Sequence, residues 1–68
     1  MNKKNIAERL KSLRIAAGLT KHEVAVACNV SDSTVRMWEL GERIPRDKEK
    51  VKLADMFNQT VQTIFFAQ

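Results

Sequence analysis

The stretch from Thr20 to Gly41, TKHEVAVACNVSDSTVRMWELG, constrains this chain more than any other part of it. It carries two helix starts, a turn residue and a helix stop in one short span. Thr20 followed by Glu23 reads as a capping box, in which the hydroxyl satisfies an early backbone N–H and the carboxylate reaches back to the cap. Val24, Ala25 and Cys28 then recur at helical spacing and make one face small and apolar. Asn29 is suited to the left-handed conformation that closes a helix. Ser31 is an N-cap for a second helix, whose inner stripe is Val35 and Trp38 and whose stop is Gly41. Asp32, Ser33, Thr34, Arg36 and Met37 lie between the inner positions as a polar, adaptable outer face. Helices joined by so short a connection cannot pack along their full length, so they cross steeply.

The flanking sequence supplies three more helices. A stripe of Ile6, Leu10, Leu13 and Ala17, with Glu8, Arg9, Lys11 and Ser12 facing away, predicts a first helix over about 5–17, stopped by Gly18. The central pair spans about 20–28 and 32–39. Pro45 interrupts the loop of Glu42, Arg43, Ile44, Pro45 and Arg46 that follows. Asp47 is read as the cap of a fourth helix over about 47–57, with Val51, Leu53, Ala54 and Phe57 inward. Thr60 caps a last one over about 60–66 carrying Val61, Ile64 and Phe65. Residues 1–68 thus read as a single domain without repeats or linkers.

Composition narrows the class. Twelve Lys and Arg against eight acids give a net charge of +4, which favours a phosphate-facing surface once a groove-sized helix is present. One Cys and one His build neither an internal disulfide nor a zinc site, so no metal or cofactor is expected. Cys28 reads as a small buried hydrophobe. No apolar run approaches the roughly 18 residues a membrane span needs. The basic MNKKN start is followed by no apolar segment of the kind a signal peptide carries, so the expectation is a cytoplasmic protein. No nucleophile–base pair and no Gly-rich phosphate loop suggests an enzyme.

The ordered run GLT-KHEVA-x4-VS-x2-TV-x2-WE-x-G-x3-P, Gly18 to Pro45, resembles the Cro/repressor (XRE-like) helix-turn-helix family of DNA-binding regulators. The similarity spans roughly Ile6 to Phe65. It implies an all-α fold: a compact five-helix, lambda-repressor-like DNA-binding domain with a central helix-turn-helix. The function it implies is that of a transcriptional regulator binding double-stranded DNA. The expected form is a homodimeric repressor, similar to those of prophages or mobile elements, reading an inverted-repeat operator.

Residue roles follow from the resemblance. Asp32, Ser33, Arg36 and Met37 match the base-facing positions of the recognition helix, whose N-terminal residues point at base edges in the major groove. Arg36 suits guanine O6 and N7, and Met37 a thymine methyl. Asp32 either accepts from cytosine N4 or favours the helix N-terminus electrostatically. Thr20, Lys21, Thr34, Arg43, Arg46 and Lys48 are the candidate phosphate contacts. Lys21 stands where the family usually has Gln, which removes a bidentate amide. Arg14 and Glu39 match a partly buried structural ion pair. Trp38 belongs to the core, because stacking on bases is a device of single-strand binders.

Lys50 and Gln59 depart from the family's usual apolar residues. Adjacent Phe65 and Phe66 cannot both face one core, so Phe66 with Ile64 is a candidate dimer interface. Two other readings stay open. One is the antitoxin of a toxin–antitoxin pair, with Lys50, Gln59 and the C-terminal aromatics meeting the partner. The other is a protein-interaction module that has lost DNA binding, supported by the acid at Asp32 with Glu42 beside Arg43.

Overall fold

A computed structural model describes residues 2–67 of the protein, and its first helix begins on a side chain. The Asn2 carboxamide accepts from the N–H groups of Lys4 and Asn5 at 2.9 and 3.1 Å, so α1 runs Lys3–Ala16. That start is earlier than the apolar stripe indicates, because the cap lies outside the stripe. α2 is Lys21–Cys28, α3 Asp32–Leu40, α4 Asp47–Met56, and α5 is a π-helical turn, Gln62–Phe66. Among the described residues these five helices are the only regular elements, so the fold is all-α.

Local chemistry sets the boundaries. The capping box at α2 is complete: Thr20 Oγ1 accepts from Glu23 N–H at 3.0 Å, and Glu23 Oε1 accepts from Thr20 N–H at 2.8 Å. Ser31 Oγ accepts from Thr34 N–H at 3.1 Å and opens α3. Each of the first four helices stops the same way, on a left-handed residue: Gly18, Asn29, Gly41 or Asn58. The following N–H then reaches back to a carbonyl of the last turn, as Val30 does to Ala25 at 3.0 Å and Glu42 to Met37 at 3.0 Å. Asn29 sits at φ 57°, a conformation whose steric cost an Asn side chain tolerates better than most.

The inner faces enclose one core, in which Trp38, Phe65, Ile6, Leu53, Ile64, Val35 and Cys28 are fully buried. Burial pushes the Cys28 thiol above its ordinary pKa; Glu49 adds to the effect and Lys52 opposes it.

Three expectations change here. Ala17 is exposed, because the chain leaves the helix axis at Ala16 and turns at Gly18. Val51 is 54% exposed and does not join the core. The inward stripe of α4 is Lys50, Leu53, Ala54 and Phe57, with the spacing i, i+3, i+4, i+7 that an apolar face requires. A lysine occupies its first position: the Lys50 side chain is only 12% exposed, and its ammonium lies 5.8 and 5.5 Å from the ring centres of Phe65 and Phe66. The stem fills the apolar slot while the head stays near Asp47, 3.4 Å away. Thirdly, α4 is capped from within. Arg46 is the N-cap position, and Glu49 Oε1 accepts its N–H at 2.9 Å; Asp47 is already the first helical residue.

The last turn is fixed by Thr60, whose hydroxyl accepts from Thr63 N–H at 3.0 Å, and by Arg9, which donates to the Ile64 carbonyl at 2.9 Å. A π turn rotates less per residue than an α-helix, and it sends adjacent Ile64 and Phe65 both into the core.

Candidate nucleic-acid interface

α3 divides cleanly by face. Val35 and Trp38 are buried, Asp32, Ser33 and Arg36 are exposed, and Met37 is half-buried at the boundary. Ser33 and Arg36 thus stand on the solvent side of a helix whose other side is locked into the core. A helix held in this way presents its side chains to a groove without having to order itself first.

Beside this helix lies an open polar cleft of about 630 Å³, lined by Ser31 and Thr34 of α3 and its cap, Arg43 and Arg46 of the connecting loop, and Lys48 of α4. Four of the six candidate phosphate contacts, Thr34, Arg43, Arg46 and Lys48, therefore share one concavity. Its one acidic member, Glu49, is engaged with the Arg46 N–H. The Ser31 and Thr34 hydroxyls lie 2.9 Å apart, so one donates to the other. The cleft combines three cations with hydroxyl groups, a donor set that suits phosphate oxygens. Thr20 and Lys21 lie apart from it, exposed at the start of α2, where the Thr20 oxygen is already accepting from Glu23.

Asp32 has a partner that spacing along the chain does not reveal. His22 Nδ1 lies 2.9 and 3.2 Å from the two Asp32 carboxylate oxygens, bridging the first turns of α2 and α3. A carboxylate is acceptor-only, so Nδ1 carries the proton and donates. Both side chains remain largely exposed.

Behind the site, Arg14 grips Glu39. Arg14 Nε donates to Glu39 Oε2 at 2.7 Å and a terminal nitrogen donates to Oε1 at 3.1 Å, a bidentate pair. The other terminal nitrogen donates to the Leu19 carbonyl at 3.0 Å. One guanidinium thus ties together the end of α1, the turn before α2 and the last turn of α3. The hydrogen bond to Glu39 raises the Arg14 pKa above its ordinary value, against the opposing effect of burial.

The C-terminal pair separates differently from the expectation. Ile64 is 1% exposed within the single chain, so it is core and offers no surface to a second copy. The cause is the π turn, which brings Ile64 in alongside Phe65. Phe66 is 48% exposed. Among the described residues no cluster of His, Cys, Asp and Glu is placed to hold a metal ion, and no helix is long and apolar enough to cross a membrane.

A family model described as helix-turn-helix matches residues 10–64, well over half of the chain. Searches of curated proteins and of solved structures gave no match. The closely joined and packed pair α2–α3, the buried ion pair behind it and the matched span lead to one conclusion: the chain belongs to the Cro/repressor (XRE-like) helix-turn-helix family and is a DNA-binding transcription regulator.

Proposed function

We propose that the protein is a homodimeric repressor that reads an inverted-repeat operator, with α3 in the major groove of each half-site. The observation that carries this reading is the cationic cleft of Arg43, Arg46 and Lys48, which is bordered by Ser31 and Thr34 at the start of α3. A helix seated in a groove has the sugar-phosphate backbone at its flanks, and cations placed there fix its register without reading sequence. Ser33, Arg36 and Met37 are then the base-reading set, with Arg36 the strongest candidate for a bidentate guanine contact. Thr20 and Lys21 hold the backbone on the opposite side of the groove. Dimerisation sets the spacing of two half-sites, about one helical turn apart. Phe66, exposed beside the Lys50 ammonium, is the apolar contact that best supports it.

The interaction-module and antitoxin readings are weakened at Asp32 and Lys50, while Glu42, Gln59 and Phe66 stay exposed. Asp32 is hydrogen-bonded to His22, which offsets its charge only when the ring is protonated, and the Lys50 head is engaged with Asp47 and two rings.

Arg36→Ala tests the base-reading role. Comparing affinities for a selected operator and for a scrambled duplex, the specificity ratio should fall by about 1–3 kcal/mol while nonspecific affinity changes far less. Equal losses on both duplexes would assign Arg36 to phosphate and remove it from the reading set.

A further inference from the structure

His22 and Asp32 are the one hydrogen-bonded side-chain pair among the described residues that bridges α2 and α3 on their exposed side, and they do so at the two helix starts. The chain contains a single His. In the neutral ring, the proton sits on Nδ1 because the Asp32 carboxylate can only accept, and this leaves Nε2 as a bare acceptor. A bare acceptor repels a phosphate oxygen, which is also acceptor-only. The protonated ring donates from both nitrogens: Nδ1 keeps Asp32, and Nε2–H is available to a phosphate. The same proton neutralises the Asp32 charge, which otherwise opposes the approach of a polyanion.

We propose that His22 is a DNA-backbone contact that works only as the imidazolium, so that DNA binding takes up a proton from solvent at this corner. The inference rests on the reading that the starts of α2 and α3 face the duplex. Other charged groups do not replace this effect. On α2, the neighbours are Lys21, a donor-only ammonium, and Glu23, which is committed to the Thr20 N–H. On α3, Asp32 holds the ring and Arg36 presents a donor-only guanidinium. α4 packs on α2 from the other end, where Glu49 and Lys52 act on Cys28. α1 contributes Arg14, which is occupied by Glu39 and Leu19.

The test is the affinity for a random-sequence duplex carrying a pH-insensitive dye, measured at constant ionic strength between about pH 8 and about pH 6, where histidine changes charge. The wild-type protein should tighten several-fold across this range, with a limit of about tenfold per pH unit for one proton. His22→Gln, a change at an exposed side chain, should lose that tightening. It keeps every other titratable group, so the difference between the two profiles isolates the ring. Asp32→Asn should bind more tightly at the alkaline end and show a shallower profile, because an uncharged amide pairs with either ring tautomer, accepting from a protonated Nδ1 or donating to a bare one. Parallel profiles for the wild type and His22→Gln, with binding intact, would overturn the proposal and leave the DNA-binding reading standing. No binding by any variant at any pH would overturn both.

Discussion

Replacing Glu39 by alanine is expected to destabilise the protein by about 3 kcal/mol, since truncating one partner of a buried pair strands the other charge. The value is set at the lower end of what such losses cost because Arg14 retains the Leu19 carbonyl and a 12% exposed side chain. For a domain of this size that loss lowers Tm by on the order of 12–24 °C. Net stabilities of small domains are themselves only about 5 kcal/mol or somewhat more, so the variant approaches the limit of folding at room temperature. Glu39→Gln keeps an acceptor for the guanidinium and should lose less. Thermal melts of the three proteins read the effect directly. A Glu39→Ala curve overlaying the parent's would show that the pair contributes nothing net, and that the last turn of α3 is held by its Gly41 cap and the burial of Trp38.

The second large effect concerns binding. Arg43, Arg46 and Lys48 are exposed, so changing all three to alanine should leave the melt almost unchanged; the Arg46 N–H that Glu49 accepts is backbone and survives the substitution. Three exposed charge interactions at about 1 kcal/mol each amount to roughly a hundredfold loss of affinity for any duplex. The dependence of log affinity on log salt should also flatten, by up to about 0.9 for each phosphate that is no longer neutralised. An unchanged salt slope would take this cleft out of the interface, whatever happened to affinity. A lower Tm in the triple variant would instead mean that the loop's charges have a structural role.

What is legible in the chain is what is local. Thr20 and Glu23, Ser31, Asn29 and Gly41 act within a few residues of themselves, so caps and stops follow from residue type and spacing. The inner stripes of α2 and α3 follow for the same reason. Lys50 defeats the stripe of α4 because a lysine stem buries like an apolar residue while its residue type reads as surface. Asn58 escapes a reading by stripes alone, although it does at the end of α4 what Asn29 does at α2. The placement of Ile64 turns on a π turn, which no periodicity of three or four residues announces. Within the site, the grouping of Thr34 with Arg43, Arg46 and Lys48 is a fact of how the loop folds back on α3. The pairing of His22 with Asp32 arises from the packing of α2 on α3, and neither residue signals the other in sequence.

The most direct test of the central claim is selection from a pool of random duplexes, at two salt concentrations, followed by sequencing of what is retained. The expected result is an enriched inverted repeat whose half-sites lie about one helical turn apart, with affinity falling steeply as salt rises. Retention without enrichment, or no retention even at low salt, would contradict a repressor that reads its operator with α3.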